Sequence, residues 1–410
     1  MSAIGQRSVS ASAPGLNLGL ILGLLIGLLP PAGALAQEEE APAPATAAEE
    51  PAAEEPGSEE LAISIRKGLE YLLETQNEDG SWGGWKNATF TSGFANPATY
   101  KMWQIGTTAL ATRTALELGP GEEHAEAADR GLDFLVANQE PRRPADWDVD
   151  NNWALVYGTD ALARALQHPR YKGSEREKEL REAGQAYVDG LQKYQSPRGG
   201  WGYYSDPDAR WQPEWATSFT SAAAVLSLYE ARQAGLDVPE KVWRAGVRAV
   251  ERSRLPNGAY DYEVSAIPRH LRMESINQDK GSLGRIQVCN LALLRAGSEL
   301  VDEEDLVWGL EQFVQHHKFL DVARNKPIPH EAYYANAAYF YLFAHYYAAQ
   351  VLRELPAEKR ERFASFVQAG ILKTQQADGS MWDFWIANNT KGYGTSFGIM
   401  GLEHTLAQEP

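Results

Sequence analysis

The side chains best suited to chemistry cluster at His330-Glu331-Ala332-Tyr333-Tyr334-Ala335-Asn336. At helical spacing His330, Tyr333 or Tyr334, and Asn336 share one rim, and a histidine–tyrosine pair can exchange a proton with a bound ligand. With Arg285 as a fixed cation, that set has what β-elimination of an acidic polysaccharide requires. Tyrosine and asparagine at a helix start also simply cap and pack. A second group is the acidic run Asp146-Trp147-Asp148-Val149-Asp150. It suits a Brønsted acid at Asp150, a calcium site, or capping of the next helix, and capping is the main reading. The glycine and distal glutamate of a helix–loop–helix calcium loop are absent. A third group lies in residues 267–285, where Arg269, His270, Arg272 and Lys280 join Arg285 in an otherwise acidic chain. It points to a carboxylate, phosphate or sulfate on a ligand, or to a solvated loop balanced by Glu263, Glu274 and Asp279. Arg285 buried without a partner is costly, so it is expected to meet Glu214, Asp150 or an anionic ligand. Cys289 is the single cysteine, which leaves no intrachain disulfide and no cysteine-rich metal site. No cofactor or metal is called for.

These groups need a frame, and an internal repeat supplies it. Six copies of one pattern, spaced by about 60 residues, align on Gln76, Gln139, Gln195, Arg254, Lys318 and Gln376. Four positions before each stands an aliphatic residue: Leu72, Leu135, Leu191, Val250, Val314 and Leu372. Each unit reads as two helices. The first ends near the anchor, over Ile63–Thr75, Ala127–Asn138, Lys178–Tyr194, Lys241–Ser253, Glu304–His317 and Lys359–Gln375. Glycine-rich turns come next, such as Asp79-Gly80-Ser81-Trp82 and Asp378-Gly379-Ser380, where glycine permits a left-handed backbone. The second helix opens on Ile105-Gly106-Thr107, Tyr157-Gly158-Thr159, Trp215-Ala216-Thr217, Leu283-Gly284-Arg285, Tyr334-Ala335-Asn336 or Tyr393-Gly394-Thr395. It is apolar on most faces, hence inner, whereas the first keeps a polar face, hence outer. Six such pairs predict an all-α closed (α/α)6 toroid over residues 61–410. Small residues on the inner helices favour the closed ring over an open solenoid. Tyr260–Tyr262 and Trp201–Tyr204 read as short extended pieces.

In a closed toroid the N-termini of the inner helices converge on a central cavity, with unpaired N–H groups and helix dipoles that favour anions or polarised oxygens. The expected ligand-binding residues there are Trp103, Trp153, Glu214, Trp215, Arg285, Gln287, Asn336 and Tyr393, with Arg269 and Arg272 from the basic segment. Asp150, His330, Tyr333 and Tyr334 are the catalytic candidates. Aromatic walls with a few charges suit a small amphipathic, lipid or glycan ligand.

Composition divides the rest. Residues 1–36 carry Arg7, an apolar run Leu18–Leu29 and Ala34-Leu35-Ala36, the pattern of a secretory signal. The run is too short to span a bilayer, and a membrane tether arises only if the signal stays uncleaved. Residues 37–60 hold nine glutamates and no basic residue, which describes a disordered acidic Ala/Pro/Glu linker. Without those acids and Arg7 the balance is 46 acidic against 37 basic residues, which argues against nucleic acid as a partner. The expected location is extracytoplasmic, periplasmic or secreted.

At the repeat itself the chain resembles the terpenoid cyclase and protein prenyltransferase superfamily. Lys67-Gly68…Tyr71-Leu72…Gln76…Gly80-Ser81-Trp82 looks like the QW motif of squalene-type cyclases. Arg130-Gly131…Phe134-Leu135…Gln139 is similar to its first half and Gln376…Gly379-Ser380-Met381-Trp382 to its second. Tyr393-Gly394-Thr395-Ser396-Phe397 and Trp215-Ala216-Thr217-Ser218-Phe219 resemble repeats of prenyltransferase β subunits. The resemblance implies the toroid, with structural glutamines and tryptophans. It does not carry over the chemistry. The cyclase acid motif Asp-x-Asp-Asp appears only as Asp148-Val149-Asp150-Asn151. The prenyltransferase zinc pair lacks its aspartate, since Gln287-Val288 precedes Cys289. The chain thus reads as an exported toroid without the family's standard catalytic motifs that binds an amphipathic or isoprenoid-like ligand. Two alternatives stand beside it, a secreted polysaccharide lyase or glycoside hydrolase on an (α/α)6 barrel and a protein-interaction scaffold.

Overall fold

A computed structural model describes residues 56–84, 97–144, 148–205, 215–264, 275–385 and 387–406. Among them the chain forms α1 (Ser58–Glu74), α2 (Pro97–Leu118), α3 (Glu122–Ala137), α4 (Asn151–Gln167), α5 (Glu177–Lys193), α6 (Ser218–Gln233) and α7 (Glu240–Ser253). It continues through α8 (Leu283–Arg295), α9 (Glu303–His316), α10 (Lys318–Arg324), α11 (Tyr341–Arg353), α12 (Ala357–Leu372) and α13 (Lys391–Thr405). Beyond isolated bridges such as Trp201 with Thr217 and Arg254 with Tyr260, the described residues form no β-ladder.

Burial sorts the helices into two layers. In α6, thirteen of sixteen residues are buried, so it has no face left for solvent. In α7 only Val242, Gly246, Ala249, Val250 and Ser253 are buried, one stripe of an otherwise polar helix. The inner helices α2, α4, α6, α8, α11 and α13 pack each on the next, and α13 packs back on α2. That last contact closes the ring. The outer helices α3, α5, α7, α9 and α12 lie on the inner helix that precedes each, while α1 lies on α13. The fold is a closed (α/α)6 toroid, with the first outer helix serving the last inner one.

One device joins neighbouring outer helices. Gln76 Nε2 donates to Gly80 O and to Ala127 O of α3, both at 2.9 Å, and Trp82 Nε1 donates back to Leu72 O at 2.7 Å. Gln195 Nε2 repeats this toward Gly199 O and Val242 O of α7, with Trp201 Nε1 on Leu191 O. In the last repeat the glutamine is Gln375, not Gln376: its Nε2 donates to Gly379 O and to Ser64 O of α1, and its Oε1 accepts from Ser64 Oγ. Met381 then takes the place aligned with Trp82. Its N–H donates to Thr395 Oγ1 as that of Trp82 does to Thr108 Oγ1. The expected alignment on Gln376 and Trp382 is therefore one residue late, and Ile371, wholly buried, replaces Leu372 as the aliphatic position. Gly379, at φ 83°, shows why the turn is close. A Cβ there would sit 2.3 Å from Lys67 O.

The fourth repeat substitutes chemistry and keeps geometry. Arg254 reaches α9 by bonding Leu300 O at 2.5 Å and pairing with Asp305. The second and fifth repeats depart further. The end of α3 is met by Tyr187 Oη from α5, which donates to Asn138 O at 3.0 Å, and the end of α9 runs into the extra helix α10. No helix among the described residues is long and apolar enough to cross a membrane.

Because Gln375 makes two bonds across the ring closure, to Ser64 O and from Ser64 Oγ, and a third within its own turn, Gln375→Ala should cost roughly 1–3 kcal/mol in urea-induced unfolding. Gln376→Ala, which loses only the bond to Thr374 O, should cost less than about 0.5 kcal/mol. Equal losses would refute the register.

Candidate functional site

The long connections all lead into inner helices, so the inner N-termini lie together at one end, the mouth. Its wall is aromatic. Trp103, Trp153, Tyr203, Trp215, Tyr262, Tyr339, Phe340 and Tyr393 are each half-buried. Buried Phe219 on α6 forms the floor, with ring centroids 6.1 Å from Trp153, 5.7 Å from Tyr203, 5.5 Å from Tyr262 and 5.0 Å from Phe340. Below it Phe343 and Phe397 continue the packing down the axis. Trp153 stacks on Tyr157 at 5.7 Å and belongs more to this floor than to the rim.

Asp150 is the acid of the mouth. It occupies the N-cap position of α4 yet makes no capping bond, because its backbone is left-handed at φ 66°, ψ 14° where a capping residue is extended. Its Oδ2 instead accepts from Trp103 Nε1 at 2.9 Å. Removal from water pushes its pKa up to about 6, and the Trp103 bond only partly opposes this. Asp150 lies near enough to Tyr203, Tyr262 and Tyr339 to disfavour their ionisation. Asn151 and Asn152, its neighbours, fasten the adjoining loop: Asn151 Nδ2 donates to Ser205 O and Asn152 Nδ2 to Gly202 O. The hydroxyls of Tyr203 and Tyr262 are joined by a short hydrogen bond.

Arg285 does not pair with Asp150, and Glu214, the other carboxylate considered for it, lies outside the described residues. Its guanidinium donates to Ile276 O and, at 3.4 Å, to Tyr260 O, and its carbon lies 5.4 Å from the Tyr262 ring centroid. Burial lowers its pKa, with the nearby tyrosines, Cys289 and Asp261 opposing. Backbone carbonyls as partners for a buried arginine were not visible in the repeat.

The other expected residues divide. His330 adopts φ 64°, bonds Ala335 O through Nδ1 at 2.5 Å, and lies 3.3 Å from Tyr339 Oη through Nε2. Its ring is 6.2 Å from that of Tyr262, so it borders the mouth. Tyr333 is 79 % exposed, and Tyr334 packs on Phe319 at 4.5 Å. The helical register that would have grouped them with His330 does not form, because residues 325–337 are irregular and α11 starts only at Tyr341. Gln287 faces outward, donating to Gly309 O of α9, and Asn336 bonds Lys280 O. Tyr393 lies 6.0 Å from Phe397 at the mouth. Glu214, Arg269 and Arg272, with Asp146, Trp147 and His270, lie outside the described residues.

Sequence reasoning missed Asp383. It is 1 % exposed, and its Oδ2 accepts from Leu342 N at 3.1 Å at the start of α11. Burial pushes its pKa up to about 7 against the bonds it accepts and the Arg324 cation. It raises the pKa of Tyr393, as does Tyr339, which places a second protonatable carboxyl on the same side of the toroid. Only its position after a glycine-rich turn hinted at it.

The opposite end is shut by ions. Arg113 on α2, 4 % exposed, bonds Asp160 at 2.8 Å, Glu117 at 3.0 Å and Tyr346 Oη at 2.8 Å. Arg164 pairs with Glu230 at 2.7 Å and Arg295 with Glu354 at 2.9 Å. The cavity among them holds about 20 Å³ of space, room for a water molecule.

No protein-family model matches this chain, and no curated protein matches it in sequence. Among solved structures it is similar to the alpha-1,6-mannanase GH76A of Salegentibacter sp. HEL1_6. The identity is 12 % with TM-score 0.54, over 84 % of this chain and 99 % of that one, both alone and as an inactive variant in complex with alpha-1,6-mannotriose. It is also similar to a variant of the type II terpene cyclase MstE from Scytonema in complex with geranylgeranyl dihydroxybenzoate. There the identity is 16 % with TM-score 0.47, over 84 % of this chain and 97 % of that one. The mannanase likeness establishes the (α/α)6 toroid as the class of this protein.

Asp383 supplies a test of the buried carboxyl. Its folded pKa exceeds the unfolded value, so the folded chain keeps a proton that the unfolded chain loses first, and stability falls as pH rises from about 4 through 7. Asp383→Asn can keep the bond from Leu342 N without titrating. The variant should therefore gain stability over the wild type by on the order of 2 kcal/mol between pH 4 and pH 8 in chemical unfolding. A difference that stays constant with pH would show that the carboxyl is not so placed.

Proposed function

We propose that this chain is an exported toroid whose mouth binds an amphipathic, isoprenoid-like ligand and offers it Asp150 as a proton donor. The observation that carries the reading is a carboxyl with a pKa near 6, held by a neutral indole donor and ringed by aromatic faces. Such a carboxyl is substantially protonated at mildly acidic pH, and its proton can pass to an electron-rich atom of a ligand. The surrounding rings stabilise positive charge that develops there. Arg285, over the Tyr262 ring, is suited to the polar end of the ligand. Export is supported by the charged, apolar and small-residue pattern of residues 1–36.

A glycan-processing reading is favoured by one separate observation, the second protonatable carboxyl Asp383, because glycoside hydrolysis uses two carboxyl groups in different protonation states. Native mass spectrometry of the purified protein, followed by incubation with a panel of isoprenyl alcohols and alpha-linked mannans, separates the two. The ligand reading expects a co-purifying or added lipid and a conversion that falls up to about tenfold per pH unit above pH 6. Asp150→Asn, whose amide oxygen still accepts from Trp103, should keep lipid binding and lose conversion. Release of reducing sugar from mannan with no lipid bound would replace this reading by the hydrolase one.

A further inference from the structure

At the junction of α9 and α10 two histidines meet inside the wall. His317 and His345 are 5 % and 0 % exposed, and their Nε2 atoms are 3.0 Å apart. His317 Nδ1 lies 2.9 Å from Asp321 Oδ2, and His345 Nδ1 lies 2.7 Å from Tyr341 O. Lys373 of α12 adds a bond to Asp321 Oδ1 at 2.6 Å. Phe313, Phe366 and Gly370 close the site, and a Cβ on Gly370 would come within 2.3 Å of His345 Nε2.

Donor counting determines where the protons are. A carbonyl oxygen only accepts, so His345 carries its proton on Nδ1. Burial, then the neighbouring His317, drives the His345 pKa well below the ordinary value, so its Nε2 is a lone pair. Burial alone would raise the Asp321 pKa, but His317 and Lys373 outweigh it and hold the group below the usual carboxylate range. Asp321 therefore accepts as well. Between two acceptors, His317 must donate from both nitrogens.

We propose that His317 and His345 form a proton-dependent latch, with one extra proton resident on His317, that fastens α10 and the adjoining rim of the mouth to the wall. Loss of that proton sets a lone pair of His317 against either Asp321 or His345, and on the His345 side burial leaves no water to separate the two. His317 is the residue on which α9 passes into α10. Arg324, on the far turn of α10, donates to Trp382 O at 2.8 Å and lies over the Tyr341 ring. Release at His317 thus reaches the segment that holds Asp383. The charged and titratable groups facing the pair are Asp321 from α10, Tyr341 from α11 and Lys373 from α12, and Arg324 and Asp383 in turn act on Tyr341. The latch binds a proton that the open form lacks, so it weakens as pH rises.

The test is hydrogen exchange by mass spectrometry on the full chain between pH 6 and pH 9, corrected for the intrinsic rate, with ¹⁵N-histidine spectra of the same protein. The wild type should show one histidine protonated on both nitrogens at pH 6. Exchange in residues 317–325 and 382–385 should quicken by up to about tenfold per pH unit as that signal titrates, the limit for one proton. Asp321→Asn discriminates, because its amide can donate to Nδ1 of a neutral His317 and leave every atom satisfied. That variant should keep these segments protected with no pH dependence. A neutral His317 at pH 6, a flat wild-type profile, or an Asp321→Asn profile as steep as the wild type would each overturn the latch.

Discussion

The toroid depends on the closure of its ring, where α13 packs on α2 and the amide of Gln375 ties the outer layer. Every other bond between neighbouring outer helices spans one repeat, whereas this one returns the sixth repeat to the first through Ser64. An open array of helix pairs would leave the apolar flanks of α2 and α13 as two unpaired ends, and repeat proteins must cover such ends with polar caps. Here the ends cover each other. The glycine of the turn is part of the same constraint, since only a residue without a side chain lets the turn approach the Lys67 carbonyl. Closure gathers the six inner N-termini at one end, and the mouth exists because of it.

That arrangement sets the electrostatics of the mouth in an unexpected direction. Helix N-termini favour anions, so an aspartate there should ionise readily. Asp150 does the reverse, because its left-handed backbone withholds the side chain from the α4 amides and the aromatic ring withholds water. Asp321 is the contrasting case within the same chain. It too is half removed from water, yet His317 and Lys373 lower its pKa. Burial alone does not decide the charge of these carboxylates. The partner does, and a single neutral indole is not enough to keep Asp150 ionised at mildly acidic pH.

How much of this was legible depended on whether a residue acts through local pattern or distant contact. Outer helices were placed within a few residues, since their leucines, glutamines and glycines recur together, and the bridges at Trp201 and Tyr260 fall in the pieces read as extended. The last anchor slipped because two glutamines stand side by side and methionine replaces tryptophan, so the stronger Trp382 signal drew the alignment one residue late. Asp150 stood out by its acidic neighbours, but its indole partner is 47 residues away in sequence. His345 carried no local mark at all, and Asp383 only its place after a glycine-rich turn. Their character comes from what folds over them, as does the satisfaction of Arg285 by two carbonyls. The grouping of His330 with Tyr333 and Tyr334 assumed a helix that starts later than the repeat suggests.

The two ends of the toroid differ in a way that constrains any ligand. At the closed end Arg113 is held between Asp160 and Glu117, and removing one member of such a buried set is far more costly than exposing a surface pair. That network, with a cavity of about 20 Å³, offers no passage for an organic molecule. At the mouth, Phe219 is locked by five aromatic neighbours, so the floor is shallow and firm. In the proposed reading, a ligand that arrives at the mouth also leaves by it and lies across the aromatic floor instead of threading the axis. In that reading, selectivity falls to the half-buried rings, which differ from one repeat to the next.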